Sequence, residues 1–322
     1  MSLGFIDLPL EELYEYQGRN PRPADFDQYW DHALDEMNSV ESDIELVPAE
    51  FETAVADCSH LYFTGVGGAR IHAKLLKPKT AGPHPAILMF HGYSMHSGNW
   101  LHKLGYVAQG FVVAALDCRG QGGLSEDVGG VIGNTLNGHI IRGLDDVPEK
   151  LLFRQIYLNT AQLAKIIMGM PDVDDTRVAA MGGSQGGGLT LACAALEPRI
   201  QLALPTFPFL SDYKRVWEMD LDVDAYHELK QYFRRFDPLH QHEDAIFAKL
   251  GYVDVQHLSP RIQAEVQLTV CLRDEICPPS TQFAAYNKIT APKSVTLYPD
   301  YAHETPPSHA DLEFQWLTKL LK

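Results

Sequence analysis

The chain has 322 residues, 45% of them hydrophobic and 21% charged, with a formal net charge of −16. That is globular composition with enough apolar material for a large core, which excludes disorder as the organising state. The acidic balance, without any dense Lys or Arg cluster, argues against a nucleic-acid partner, and the apolar runs fall well short of the ~20 residues of a membrane span.

Residues 23–37 open on a Pro and an Asp and carry Phe26, Tyr29, Trp30, Ala33 and Met37 at helical spacing, which predicts an amphipathic helix. Short alternating stretches from Ile44 to Leu76, broken by the turn Gly65-Val-Gly-Gly68, predict antiparallel strands. The pattern then changes. Residues 85–90 and 110–117 are continuous apolar runs separated by a helical segment at 100–108, as buried parallel strands with a crossover would be. A glycine-rich loop over 120–143 leads into a long helix over 149–170, with Leu152, Ile156, Leu163, Ile166 and Ile167 on one side. Strands are expected over 177–183 and 202–206, separated by a helix over 189–196. Residues 207–264 are helical in pattern and rich in aromatics, which suits a cap over the sheet edge, although core packing explains many of the same side chains. Strands at 266–272 and 293–298 and a helix at 310–321 follow. This order predicts an α/β protein with a doubly wound, mostly parallel sheet preceded by antiparallel strands.

Five cysteines, Cys58, Cys118, Cys193, Cys271 and Cys277, form no Cys-x-x-Cys pair, which fits a reducing compartment. Whether Cys271 and Cys277 pair is left open. No basic segment followed by an apolar core occupies the first twenty residues, so the expected location is the cytoplasm. No His-Glu-x-x-His or comparable spacing occurs, and no metal is expected.

The chemistry concentrates in Gly182-Gly-Ser-Gln-Gly186, set between a strand and a helix. A serine at so tight a turn is exposed as a nucleophile, and Gly182 and Gly186 supply the two places with no room for a Cβ. A serine hydroxyl needs a histidine to take its proton, and the imidazole needs a carboxylate to fix its tautomer. Ser184, Asp274 and His303 occur in that order, the last two just beyond strand ends, where a doubly wound sheet gathers its functional loops. Glu275 and His309 are the competing acid and base. The oxyanion of an attacked carbonyl needs two donors: the backbone N–H of Gln185 is one, and the His91-Gly92 start of an early loop points to the N–H of Tyr93 for the other. Arg119 is expected to pin neighbouring loops rather than bind an anionic substrate.

Together these residues resemble the acetyl xylan esterase and cephalosporin C deacetylase family of α/β-hydrolases. The resemblance rests on Arg119-Gly-Gln121, Gly182-Gly-Ser-Gln-Gly186 and His303-Glu304, with support from Pro23-Ala-Asp-Phe-Asp-Gln-Tyr-Trp30, Asn137-Gly-His-Ile-Ile-Arg-Gly143 and the Asp274 loop ending in Cys277-Pro-Pro279. It implies one α/β-hydrolase domain over 1–322, with an N-terminal extension over about 1–80 and a cap insertion over about 207–264. It also implies a cofactor-free serine esterase that deacetylates small compounds, including acetylated xylo-oligosaccharides and cephalosporin C, and a homo-oligomer, specifically a hexamer. Two other readings stay open: a peptidase or longer-chain esterase on the same three residues, and a catalytically silent hydrolase-fold binding protein.

Overall fold

A computed structural model describes residues 6–221 and 223–322; residues 1–5 of the expected N-terminal extension and residue 222 of the expected cap lie outside it. Among the described residues, nine strands form a single sheet: β1 (Glu45–Pro48), β2 (Ala56–Thr64), β3 (Arg70–Pro78), β4 (His84–Phe90), β5 (Val112–Leu116), β6 (Val173–Gly183), β7 (Leu202–Thr206), β8 (Glu265–Cys271) and β9 (Lys293–Tyr298). Their spatial order is β1-β2-β3-β5-β4-β6-β7-β8-β9. Pairings from β1 to β5 across β3 are antiparallel, and those from β5 through β4 to β9 are parallel. The chain lays β5 on one side of β4 and then crosses to lay β6 on the other. That reversal creates a crevice at the carboxyl ends of β4 and β6, where such sheets bind their ligands.

The helices are α1 (Leu10–Glu15), α2 (Phe26–Ser39), α3 (Leu104–Ala108), α4 (Leu152–Met168), α5 (Gln185–Leu196), α6 (Tyr213–Glu218), α7 (His227–Phe236), α8 (Glu243–Leu250), α9 (Val255–Leu258), α10 (Pro279–Lys288) and α11 (His309–Leu317). Helix α2 buries Phe26, Tyr29, Trp30, Ala33 and Met37, the stripe read from spacing. Each large apolar side chain taken out of water contributes about 1.5–3 kcal/mol. Trp30 stacks on Tyr157 of α4 with centroids 5.9 Å apart and donates its indole N–H to the carbonyl of Tyr252 at 2.9 Å, so its one polar atom is satisfied.

Two helices, α1 and α10, were not anticipated. Helix α10 begins at Pro279, directly after Pro278, and buries every residue from Pro279 to Tyr286, leaving no polar stripe to reveal its period. Strand β6 starts at Val173, ahead of the apolar run, because His84 of β4 pairs with Val173 before the register shifts. Helix α4 begins at Leu152 rather than 149, since Pro148–Lys150 forms a 3₁₀ turn. No helix among the described residues is long and apolar enough to cross a membrane.

Candidate active site

Strand β6 delivers Ser184 into α5 through a strained bend, with φ 57° and ψ −121°. A non-glycine residue in that region costs about 1–3 kcal/mol, so neighbours must hold it there. The Ser184 N–H donates to the carbonyl of Thr206 on β7 at 3.0 Å, and its own carbonyl accepts from the N–H groups of Phe209 at 2.9 Å and Gly188 at 3.1 Å. The flanking glycines admit β4: a Cβ on Gly182 would stand 2.5 Å from the Phe90 carbonyl oxygen, and one on Gly186 only 2.2 Å from the same atom. Strand end and helix start can therefore meet only without side chains.

The loops after β8 and β9 bring Asp274 and His303 to this bend. His303 Nε2 lies 3.0 Å from Ser184 Oγ, and His303 Nδ1 lies 2.8 Å from Asp274 Oδ2. The other Asp274 oxygen accepts from the backbone N–H groups of Ile276 at 2.9 Å and Cys277 at 2.8 Å, so the carboxylate is fully engaged and buried. The competing residues are elsewhere. Glu275 points outward. His309 is buried against Thr206 Oγ1 at 3.0 Å and Glu313 at 3.3 Å.

Opposite this chain of hydrogen bonds, the loop after β4 places Tyr93 in the wall of the same cavity as Ser184. Gln185 opens α5, whose first N–H groups have no partners within the helix. The loop that carries Tyr93 and the start of α5 are tied together through Gln121. Gln121 Nε2 donates to Gln185 Oε1 at 2.7 Å, while Gln121 Oε1 accepts from Gln185 Nε2 at 3.0 Å and from the N–H of Ser94 at 2.9 Å. His91 Nε2 accepts the Cys118 N–H at 3.0 Å, which leaves Nδ1 as the donor to the Gly92 carbonyl at 2.7 Å. Burial pushes His91 below the usual histidine range, so this imidazole is a neutral fastener.

Asp117, at the end of β5, fastens the far side of that loop. It accepts from the Ser97 N–H at 2.6 Å, the Leu124 N–H at 2.9 Å and His72 Nδ1 at 2.7 Å. Burial alone would raise its pKa, but the His72 partner and the two backbone donors outweigh it and hold the carboxyl well below the ordinary range. Arg119 is buried and pins loops as expected, donating to Asn159 Oδ1 at 2.8 Å and the Val66 carbonyl at 2.9 Å.

The cavity above Ser184 and His303 has a volume of about 620 Å³, and its wall includes Met95, Asn137, Phe209, His227 and Ile276. Several residues here were not singled out from sequence as site residues. Glu228 of α7 is buried and accepts from the Tyr93 hydroxyl and from the N–H groups of Ile140 at 3.1 Å and Ile141 at 3.3 Å. Burial pushes its carboxyl up to about 7 despite those donors. Cys277 is buried beside Ser184 and Asp274, and burial raises its thiol well above the usual range. Cys271 and Cys277 are both free thiols, and Cys271 Sγ contacts the Glu304 carbonyl at 3.7 Å. Asp274, Cys277 and His303 also have ligand atoms within 4.8 Å of one another. Both imidazole nitrogens of His303 are already committed to Ser184 and Asp274, so a cation there would have to break that chain.

A doubly wound sheet with a serine bend at its switch point defines an α/β-hydrolase. The sequence matches the acetyl xylan esterase family over residues 3–320. A solved acetyl xylan esterase from Thermoanaerobacterium sp. is 59% identical, with a TM-score of 0.95, over 98% of this chain and 100% of that one. Another, from Paenibacillus sp., is 34% identical with a TM-score of 0.90, covering 97% and 99%. The acetyl esterase Axe7A of Xylanibacter ruminicola is 27% identical across 99% of this chain and 75% of its own length. The chain belongs to the acetyl xylan esterase family and is a carboxylic ester hydrolase.

Proposed function

We propose that the protein removes acetyl groups from small acetylated compounds, acetylated xylo-oligosaccharides and cephalosporin C among them, through an acetyl-enzyme on Ser184. The observation that carries this reading is the continuous path from Ser184 Oγ through His303 to Asp274, at 3.0 and 2.8 Å. Ser184 Oγ attacks the ester carbonyl carbon while its proton passes to His303 Nε2, and Asp274 stabilises the imidazolium. The backbone N–H groups of Gln185 and Tyr93 receive the oxyanion, at the positive end of α5. As the tetrahedral intermediate collapses, His303 returns the proton to the departing alkoxide. Water, deprotonated by the same imidazole, then releases acetate.

The helical interval 207–264 acts as a cap, since Phe209, Asp224, Ala225 and His227 contribute to the cavity wall. Self-association is supported by the glycine-rich loop over 120–143, which exposes Val128, Val131, Ile132 and Leu136. A hexamer and a cytoplasmic location rest on the family resemblance and the free cysteines respectively. Intact-mass measurement after treatment with a fluorophosphonate tests the nucleophile: one adduct is expected on the wild type and none on Ser184→Ala. Ser184→Ala should also lose deacetylase activity by about four orders of magnitude or more. Full activity in that variant would refute the assignment.

A further inference from the structure

A second cavity of about 470 Å³ adjoins the one above Ser184, and Asn137, Asp224 and His227 line both. Each volume is in the range of small-molecule sites, about 300–1,000 Å³. One wall of the second cavity is α7, which presents two rows of side chains at intervals of four residues. The first row is polar and hydrogen-bonded along its length: Arg235 Nε donates to Gln231 Oε1 at 3.2 Å, and Gln231 Nε2 lies 3.0 Å from His227 Nε2. The second is aromatic, with Tyr232 anchored through its hydroxyl to Asp145 at 2.5 Å and Phe236 left 68% exposed. At 1.5 Å per residue the polar row runs about 12 Å away from the nucleophile.

We propose that this cavity is a subsite for the distal sugar units of an acetylated oligosaccharide, bound along α7 while the acetyl ester sits at Ser184. The inference rests on the acetyl-esterase reading and adds the direction in which the leaving group extends. A pyranose ring offers apolar C–H faces and a rim of hydroxyls. Phe236 and Tyr232 match the faces, and Gln231, Arg235 and Asn137 match the rim. A long acyl chain suits the place poorly, because it would strip water from the exposed Arg235 guanidinium and the rest of the polar row and offer no hydrogen bond in exchange. An exposed Phe236 also separates this row from ordinary core packing, where such a ring would be enclosed.

The test compares kcat/KM on 4-nitrophenyl acetate, acetylated xylose, acetylated xylotriose and 4-nitrophenyl octanoate for the wild type, Phe236→Ala, Phe236→Tyr and Gln231→Ala. The wild type should prefer the trisaccharide to the monosaccharide, chiefly through KM. Phe236→Ala and Gln231→Ala should each lower the ratio of trisaccharide to 4-nitrophenyl acetate activity about three- to tenfold, the worth of one lost contact. Phe236→Tyr should restore most of that ratio. A ratio within twofold of wild type in both variants overturns the proposal. So does an equal fall on every substrate, as altered packing or assembly would give, or a loss confined to the octanoate. Wild-type protein inactive toward every acetyl ester would refute the parent reading as well, and is distinguishable because it shows without any variant.

Discussion

Gly186→Ala sets two effects of opposite sign against each other. Gly186 lies in the first turn of α5, where alanine is the better helix former by about 1 kcal/mol. The added Cβ would meet the Phe90 carbonyl oxygen at 2.2 Å and its carbon at 2.9 Å. That oxygen belongs to the last residue of β4, which is buried and paired with Gly182 of β6, so it cannot swing aside as a flexible side chain would. Opening the contact requires a backbone displacement of about 1 Å, and overpacking of this kind costs about 1–3 kcal/mol. Sterics should therefore equal or exceed the helix gain, leaving a loss of up to about 2 kcal/mol and a fall in Tm of a few degrees. Activity is the sharper readout. Phe90 leads directly into His91, Gly92 and Tyr93, so the displacement moves the proposed oxyanion donor, the Tyr93 N–H, relative to Ser184, and a 1 Å misplacement costs on the order of a hundredfold in kcat. Thermal unfolding and 4-nitrophenyl acetate kinetics on the purified variant measure both. A variant with raised Tm and kcat within twofold of wild type would show that β4 yields freely and that the close approach does not position the donor.

Asp274→Asn should lower kcat by about 10⁴. The N–H groups of Ile276 and Cys277 need an acceptor, so the amide oxygen stays with them and its NH₂ faces His303 Nδ1, leaving Nε2 protonated and unable to take the serine proton. A fall below tenfold in steady-state assays would contradict that tautomer argument. Asp117→Ala leaves three donors without a partner in a buried site and should destabilise the protein by about 3–5 kcal/mol in urea unfolding; a loss under 1 kcal/mol would count against the fastening role. Glu228→Gln tests the buried carboxyl on α7. A carboxyl held at about 7 binds its proton more tightly in the folded chain, so the stability it contributes is present below its ordinary 4.5 and disappears as pH rises through 7. The stability difference between wild type and Glu228→Gln should fall by roughly 3 kcal/mol between pH 4.5 and 8. A difference that stays constant with pH refutes the shift.

Much of the fold was legible from local pattern. Continuous apolar runs marked β4 and β5, and the stripe of Phe26, Trp30, Ala33 and Met37 marked α2, because strand and helix periods are properties of neighbouring residues. Helix α10 escaped for the converse reason: buried on all sides, it carries no polar face to betray a period. At the candidate site, the bend at Ser184 was readable because its glycines are adjacent in sequence, and Asp274 and His303 stood out as the acid and base just beyond strand ends. What sequence left open was which of Asp274 and Glu275, or of His303 and His309, faces the serine. The turn after β8 buries Asp274 and turns Glu275 outward, while α11 draws His309 to Glu313.

The sequence by itself determined the elements, the order of the chemical groups along them and the requirement for glycine on either side of Ser184. Only the tertiary structure decided that Glu228 would hold the Tyr93 hydroxyl, that Gln121 would interlock with Gln185, and that α7 would wall a second cavity beside the first. Those partners are 135 and 64 residues apart in the two hydrogen-bonded cases. Contacts at such separations depend on strand order and on where the intervening helices pack, and neither is encoded in the local periodicity that reveals a helix or a strand.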